Sequence, residues 1–432
     1  MHRIQNIIGF FLSILFKVQT KLHYFDTHWI DRKIEKFSNS IQNKYNLPTF
    51  SQSHYKYDIA FFASLLYPVG GHTKCLVNLF DSLHEKRKLA CFLSNLTQSY
   101  KFSGEICNKI KEKGDIYGID CNINAIADSI ENLYNKIIST PPRIAIVYIH
   151  PDDIVFASVL SLLHKHSNIR ILYFNHASHF PCLGMTFSNL VLDCLPSALE
   201  ITRRKRKISH SQLISIQSTS QKDIIFYPES ELNKVKKKLG IPLDSFITMS
   251  GGSSYKFFDH EKSIYFSMIK DILTNEKNLY HVMISDLSKK QINIINKIFS
   301  TSSTPNIKER LIIHPLTPNY EKLFQCADVF IDSFPVSSAM TQVDLMKNKV
   351  ATVVKCNFDS PEYSFHEYLP PNYEYLCSTT EEMKKSIFYL LYNKDKRQLV
   401  IEKNYMYWLE NYERDHVRDK WIKIIDGEYY EY

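Results

Sequence analysis

The stretch ADVFIDSFPVSSAMTQVDLM at residues 327–346, followed by VATVVK at residues 350–355, contains the clearest structural signal in this sequence. Its two apolar runs are rich in Val and Ile and have the length of buried strands, whereas the segment between them has helical length. A strand, a loop of small hydroxylic residues, a helix and a second strand form the unit from which parallel sheets are built. The stretch therefore predicts a parallel α/β architecture.

Strand-length apolar runs alternate with amphipathic helical stretches on the N-terminal side of this unit as well. The alternation runs once through the first half of the chain and restarts after a Lys-rich helical segment that ends at Gly240 and Pro242. This restart predicts two Rossmann-like, doubly wound domains that face each other across a cleft. We place an apolar and aromatic extension at 1–54, a first domain at 55–242, a second domain at 243–395, and C-terminal helices returning toward the first domain at 396–432.

Twelve strands are predicted, six in each domain. In the first domain they are Ile59–Leu66, Ala90–Ser94, Ile144–Ile149, Ile169–Asn175, Leu190–Leu195 and Leu213–Gln217. In the second domain they are Phe246–Ser250, Tyr280–Ser285, Leu311–His314, Val329–Asp332, Val350–Lys355 and Tyr375–Cys377.

Composition narrows the class of protein. A chain of 432 residues that is 44% hydrophobic can bury the cores of two domains. Its formal net charge of +8 suits nucleotide diphosphates or an anionic lipid surface, and nucleic acid is not expected because no recognised binding module is present. Nine cysteines without metal-ligand spacing argue against a zinc site and a disulfide framework, and predict a reduced, cytoplasmic protein.

The N-terminal run Ile7–Phe16 is strongly apolar but shorter than the roughly 20 residues that a membrane-spanning helix needs. We expect it to lie on a membrane surface or to pack on the protein, with peripheral association at the inner face of the cytoplasmic membrane. A signal peptide is the alternative, since Arg3 precedes the run, but no small-x-small cleavage site follows.

The first predicted strand ends in a Gly-rich loop, YPVGGHTK at residues 67–74. The pair Gly70 and Gly71 lets the backbone turn tightly and approach a phosphate or an acceptor, and the following helix start offers free N–H groups. His72 adds a titratable group and Lys74 a fixed charge. The alternative is a simple strand-to-helix turn.

Two histidines follow the strand Ile169–Asn175. His176 comes directly after Asn175, and His179 lies three residues further along the chain. Imidazole is well suited to accept a proton from a sugar hydroxyl near neutral pH, so His176 is a candidate general base with His179 as its neighbour. The alternative is a histidine that serves only the structure.

The first strand of the second domain ends in a loop with Gly251, Gly252 and Lys256. Paired glycines and a lysine suit a diphosphate.

The loop and helix of residues 333–346 carry the second half of the predicted nucleotide site. Ser337, Ser338 and Thr341 are small enough for the helix N-terminus to approach phosphate oxygens. Asp344 lies one turn further along, where a carboxylate can accept hydrogen bonds from both ribose hydroxyls.

The pattern Ile331-Asp-Ser-Phe-Pro-x-Ser-Ser-x-x-Thr-x-x-Asp344 resembles the donor-site segment of two-domain glycosyltransferases of the GT-B fold. It is most similar to the branch of the O-linked N-acetylglucosaminyltransferases and bacterial adhesin glucosyltransferases, in which Asp-x-x-Pro-x-x-Gly-x-Thr-Thr-x-x-Asp is typical. Asp332, Thr341 and Asp344 match that pattern, whereas Ser338 and Met340 replace its Gly and first Thr. The Gly-Gly-His-Thr-Lys and Asn-His-Ala-x-His segments resemble bacterial polysaccharide-assembly glycosyltransferases.

This resemblance implies transfer of a sugar from a nucleoside-diphosphate sugar, most simply a UDP-sugar, to a glycan or lipid-linked acceptor in surface polysaccharide assembly, such as that of capsule or lipopolysaccharide. It implies no metal and no cofactor besides the donor substrate, with His176 or His72 as the base. An inverting mechanism is favoured, because the donor-site segment at residues 327–346 has no Glu-x7-Glu pair of the kind that marks the large retaining branch.

Two other functions remain open from the sequence. A nucleotide-sugar 2-epimerase shares the two-domain plan and needs no acceptor. A catalytically silent scaffold on a membrane surface would use the apolar N-terminus and the basic run Arg203–Lys207. That run is also typical of a solvated helix face.

Overall fold

The structure, a computed structural model, describes residues 2–50, 54–67, 71–96, 104–217, 224–259, 262–302, 304–317, 320–356 and 366–428. The chain divides into two compact units, one formed by Met1–Ser220 with Arg414–Tyr432 and the other by Gln221–Glu413. Each unit contains one fully parallel sheet with helices packed against it.

The first unit contains a seven-stranded sheet in the order β3-β2-β1-β4-β5-β6-β7. The chain adds strands outward from β1 in one direction and then from β4 in the other, so the strand order reverses between β1 and β4. The strands are β1 Tyr57–Ala63, β2 Leu89–Leu93, β3 Asp115–Gly118, β4 Pro142–Tyr148, β5 Arg170–Asn175, β6 Leu190–Asp193 and β7 Ser211–Leu213. The helices are α1 His2–Lys21, α2 His28–Tyr45, α3 Gly71–Leu83, α4 Glu105–Lys111, α5 Ile126–Ser139, α6 Ile154–His166 and α7 Pro196–Arg204.

The second unit repeats this order with six strands, β10-β9-β8-β11-β12-β13, and reverses between β8 and β11. Its strands are β8 Phe246–Gly251, β9 Leu279–Ile284, β10 Leu311–His314, β11 Val329–Ile331, β12 Ala351–Lys355 and β13 Leu376–Cys377. Its helices are α8 Glu229–Lys238, α9 Ile264–Asn275, α10 Lys289–Ser300, α11 Glu321–Phe324, α12 Ala339–Lys347, α13 Thr380–Tyr392 and α14 Lys394–Asn411.

The prediction of two Rossmann-like sheets is confirmed, and each of the twelve predicted strands overlaps a strand of the structure. The sequence did not indicate β3. This four-residue strand lies at the edge of the sheet, and its residues are partly or fully exposed. It therefore lacks the continuous apolar run by which buried parallel strands are recognised.

The division between the units differs from the boundary placed at residue 242. Helix α8 lies in the second unit, where Leu232 and Val235 pack against the core around Ile247 and Phe330. The last helix, α15 (Arg414–Asp426), lies in the first unit.

The N-terminal residues form part of the first unit's core. Helix α2 packs on α6, and α1 packs on α2 and α5 with Leu12 and Phe16 buried. Stacked Phe62 and Phe156, with ring centroids 5.4 Å apart, join β1 to α6 at the centre of this core. Within the described part of the chain, no helix combines the length and the apolarity that crossing a membrane requires.

A buried carboxylate fixes α2 to the loop after β5. Asp31, which is 1% exposed, accepts hydrogen bonds from the Gly184 amide at 3.1 Å and the Thr186 hydroxyl at 2.8 Å. Burial raises the pKa of Asp31 from 3.8 to about 6. Because the folded protein then holds a proton that the unfolded chain releases, this group makes folding less favourable as pH rises from about 4 to about 6.

We expect Asp31→Ala to lower the free energy of unfolding of the first unit by at least about 2 kcal/mol, because the buried Gly184 amide and the partly buried Thr186 hydroxyl lose their acceptor. Glu35→Ala, on the same helix but only partly buried, is the matched control and should change stability by less than about 0.5 kcal/mol. Urea unfolding of both variants measures the difference. Equal midpoints for the two variants would show that Asp31 does not hold this contact in solution.

Candidate functional site

The polar residues at the ends of the strands lie where strand order reverses in each sheet. In open parallel sheets the loops after the two strands that flank the reversal diverge and leave a crevice. In the first unit those loops follow β1 and β4, and in the second unit they follow β8 and β11. We describe the two units separately, beginning with the second.

Asp332 organises the loop between β11 and α12. One carboxylate oxygen accepts the Ser338 amide at 3.1 Å, and the other accepts the Ser337 hydroxyl at 2.5 Å and the Gln342 side-chain amide at 3.0 Å. The carboxylate is fully buried, and burial raises its pKa although these hydrogen bonds oppose the shift. Asp332 therefore fixes the N-terminus of α12.

The hydroxyls of Ser337 and Ser338 point into the protein, and both residues are 2% exposed. Ser338 donates to the Gly251 carbonyl at 3.1 Å and lies 2.8 Å from the Ser333 hydroxyl. These serines join the β8 loop to the β11 loop. The Ser337 and Ser338 hydroxyls therefore bond to protein groups, and their role in binding a phosphate stays a prediction.

Gly252 is required by this junction. A Cβ at Gly252 would lie 2.7 Å from the Ser338 hydroxyl oxygen, whereas a Cβ at Gly251 would meet only ordinary contacts at 3.7 Å or more. Thr341 lies in the first turn of α12 and is partly exposed.

Lys256 places a cation at the N-terminus of α12. Its ammonium donates to the Ser337 carbonyl at 2.9 Å and lies 3.4 Å from the Ser338 hydroxyl. Burial lowers the pKa of Lys256 to about 8, and the nearby Asp332 opposes this shift only in part. A partly buried cation beside a helix N-terminus is an arrangement that suits an anion.

Asp344 lies in α12, beyond this cation, and is 2% exposed. Its Oδ2 accepts a hydrogen bond from the Tyr320 hydroxyl at 2.7 Å. A ribose that binds Asp344 must therefore replace part of the present contacts. Nothing in the sequence alone indicated Tyr320, which lies in a different segment of the unit.

In the first unit, His72 and His176 stack on each other with ring centroids 5.0 Å apart. The sequence therefore identified two histidines that the fold brings together from the ends of β1 and β5. Loss of water around the rings lowers the pKa of His72 to about 4 and that of His176 well below its ordinary value, and the neighbouring His150 lowers both further. Both shifts favour the neutral form of the ring.

His150, at the end of β4, belongs to the same cluster and was missed by sequence analysis. Its Nδ1 lies 3.3 Å from the Asp152 carboxylate, and its Nε2 lies 3.4 Å from the Tyr67 hydroxyl. The hydrogen bond that His150 donates to Asp152 raises the pKa of His150, and the same bond lowers the pKa of Asp152. The signal that could have found it is its position directly after a predicted strand.

Asp153, the next residue, has a different role. It is buried, caps α6 through the Phe156 amide, and accepts the hydroxyls of Ser64 and Ser94. As an ordinary helix cap, it is not available to substrate.

The remaining first-unit candidates lie around the cluster. Asn175 is buried and its side-chain amide donates to Asp193 at 2.7 Å. It therefore joins the ends of β5 and β6 rather than facing outward. His179 packs against the Phe180 ring, and Gly71 and Lys74 lie in the first turn of α3. Gly70 lies outside the described residues.

The basic run Arg203–Lys207 is not one continuous solvated face. Arg206 is 1% exposed and donates to the carbonyls of Ser178 and Phe180, which stabilises the loop after β5. Lys207 is exposed and pairs with Asp26 at 2.7 Å. Among the described residues, no group of three or more His, Cys, Asp or Glu side chains is placed to hold a metal ion.

Comparison with known proteins rests on structure. No protein-family model matches the sequence, and no curated protein sequence matches it. Solved structures do match: the glycosyltransferase from Rickettsia africae has a TM-score of 0.66 at 11% identity, over 87% of this chain and 99% of that chain. Anabaena Alr3699/HepE, solved with UDP and glucose, has a TM-score of 0.64 at 11% identity, over 85% and 99%.

A Thermobaculum terrenum O-GlcNAc transferase is also similar, with a TM-score of 0.58 at 11% identity over 97% of this chain and 78% of that chain. At identities this low, the structural match shows the fold alone and does not identify a branch of the family. The two parallel sheets and these matches show that the chain has the two-domain fold of the GT-B glycosyltransferases.

Proposed function

We propose that the protein is a glycosyltransferase that transfers a sugar from a nucleoside-diphosphate sugar, a UDP-sugar, to a glycan or lipid-linked acceptor in bacterial surface polysaccharide assembly. The observation that carries the proposal is the partly buried Lys256 ammonium at the N-terminus of α12, at the strand reversal of a Rossmann-like sheet. The UDP complex of the similarly folded HepE protein supports the choice of nucleotide.

The second unit binds the donor. Lys256 and the N-terminal amides of α12 balance the charge of the diphosphate, and Asp344 accepts the ribose hydroxyls once Tyr320 releases it. Lys256 and the amides stabilise the departing diphosphate more strongly as its negative charge grows during the reaction. The proposal therefore assigns charge stabilisation to protein groups and needs no metal or cofactor.

The first unit activates the acceptor. Among the clustered imidazoles, His150 has the pKa best matched to accepting a proton near pH 7, because Asp152 stabilises its charged form. His72 and His176 hold protons too weakly at their lowered pKa values and serve instead to shape the surface beside His150. We accordingly transfer the role of base from His72 or His176 to His150.

The reaction we propose is a single displacement, hence inverting. The acceptor oxygen forms a bond to the anomeric carbon while the bond from that carbon to the diphosphate breaks. The acceptor proton passes to His150 Nε2, and Asp152 holds the imidazolium that results. We place the protein in the cytoplasm, at the inner face of the cytoplasmic membrane, where lipid-linked acceptors are exposed.

A thermal-shift screen over nucleotides and nucleotide sugars tests the proposal. A ligand at 100 times its dissociation constant stabilises a protein by about 2.7 kcal/mol. We expect UDP and one UDP-sugar to shift the unfolding temperature. Absence of any shift would favour a catalytically silent scaffold, and conversion of the sugar nucleotide without an acceptor would identify a 2-epimerase.

We expect UDP affinity to fall about tenfold between pH 7 and pH 9. Lys256, with a pKa of about 8, loses its charge over this range, whereas the phosphates of UDP, with a second pKa of about 6, stay ionised. Calorimetric titration at both values measures the change. Lys256→Met should abolish the pH dependence, whereas Lys297→Met, on the exposed side of α10, should keep it. A wild-type UDP affinity that does not change between pH 7 and pH 9 would show that Lys256 does not bind the diphosphate.

We expect His150→Ala to reduce turnover of the UDP-sugar by about 10²–10⁴-fold and to leave UDP affinity unchanged. The rate of the wild type should rise with pH through the raised pKa of His150, and Asp152→Asn should move that rise to lower pH. His164→Ala, at the far end of α6, is the matched control. If His72→Ala or His176→Ala causes the larger loss, the base is one of those residues.

We expect Asp344→Asn to weaken UDP binding by about 1.5–3 kcal/mol, the range for hydrogen bonds to charged groups. Tyr320→Phe removes the hydroxyl that now occupies Oδ2 and should leave UDP affinity equal or stronger. Titration calorimetry with UDP measures both variants. Unchanged affinity in a folded Asp344→Asn protein would show that the ribose binds elsewhere.

A further inference from the structure

Helix α1 presents an apolar face to solvent. Seven large apolar side chains along it are 40–72% exposed, and we call this set the outer face of α1. Its members are Ile7, Ile8, Phe10, Phe11, Ile14, Val18 and Leu22, the last of which directly follows the helix. Single exposed apolar residues are ordinary on protein surfaces, but a continuous row of this length marks an interaction site.

The opposite side of α1 is fixed to the first unit. Leu12 and Phe16 are buried in its core, and a Cβ at Gly9 would lie 2.9 Å from Ile126 of α5, so the helix and α5 are in close contact. The Gln19 side chain donates to the carbonyls of Tyr24 and Asp26, which fixes the end of the helix. The outer face therefore cannot turn inward without losing these contacts.

The charges on α1 are all positive. The helix contains no Asp or Glu, and Lys17 and Lys21 are exposed at one edge of the outer face. Exposed apolar side chains bordered by lysines are typical of helices that lie in the interface of an anionic bilayer, where the lysines reach the headgroups. A second copy of the same face would bring like charges together.

A cavity beside α1 is also compatible with lipid binding. A cavity of about 370 Å³ lies beside the helix, lined by Ile7 and Phe10 of the outer face and by Asn6, Ile123 and Asn124. Flexible acyl chains can enter a partly apolar depression of this kind without a complementary partner shape.

We propose that α1 is an in-plane membrane anchor whose outer face enters the headgroup and acyl boundary of an anionic lipid bilayer. Helix α1 contacts α6, which begins just after His150 and Asp152, and Lys17 contributes to the charge environment of Asp152, so the anchor lies on the side of the first unit that carries the histidine cluster. If the proposed transferase function holds, the docked bilayer delivers a lipid-linked acceptor to that side.

Vesicle flotation of the full chain tests the anchor. We expect binding to phosphatidylcholine vesicles that contain phosphatidylglycerol, much weaker binding to phosphatidylcholine alone, and release by high salt. Lys17→Gln with Lys21→Gln should weaken binding to the anionic vesicles by about 30-fold, since each basic residue near such a surface contributes about a factor of five. No binding of the wild type to the anionic vesicles would overturn the proposal.

Charged substitutions on the outer face separate lipid from other partners. We expect Phe11→Glu with Ile14→Glu to weaken vesicle binding at least about tenfold. Leu399→Glu with Met406→Glu, at similarly exposed positions of α14, is the matched control and should bind as the wild type does. Equal binding by both variants would overturn the proposal, as would a wild-type dimer in sedimentation experiments without lipid that Phe11→Glu with Ile14→Glu dissociates.

The anchor and the transferase proposal fail separately. UDP binding by the Phe11→Glu, Ile14→Glu variant should equal that of the wild type, since these residues lie outside the second unit. Vesicle binding without any nucleotide response would leave the anchor standing and reject the transferase. A nucleotide response without vesicle binding would reject the anchor and leave the transferase proposal standing.

Discussion

Parallel strand pairing is the constraint on which this structure depends. A parallel strand cannot pair with the next one through a tight turn, so each connection crosses the sheet, usually as a helix, and each strand ends at the same edge. Where the chain stops adding strands on one side and begins on the other, the loops at that edge separate. Both sheets have one such reversal, and the residues to which we assign chemistry follow the strands around it.

A buried carboxylate stabilises each reversal. In the first unit, Asp153 follows β4, caps α6 and accepts hydroxyls from the ends of β1 and β2. In the second unit, Asp332 follows β11, fixes the start of α12 and accepts the Ser337 hydroxyl. A buried charge is tolerated only where hydrogen bonds replace its hydration, so each loop has a single well-defined arrangement. These fixed loops are what allow Lys256 and His150 to be held in place.

Burial also gives the three clustered histidines different pKa values. The three imidazoles of the first unit differ because His72 and His176 are stacked and shielded from water, whereas His150 borders solvent and has a carboxylate partner. The first two are kept neutral and the third is kept basic. The difference arises from neighbours contributed by three separate loops.

The sequence by itself determined the two-sheet architecture, because the periodicity of apolar runs and the Gly and Pro stops are local properties. It also placed Lys256, Asp344, His72 and His176 at strand ends or in the helix that follows. Only the tertiary structure decided which groups meet: the Tyr320 hydroxyl on Asp344, the ring of His72 on that of His176, and the inward hydroxyls of Ser337 and Ser338 on protein groups. Those partners are distant or unremarkable in sequence, and pKa and availability are set by burial and contact, which no local pattern specifies.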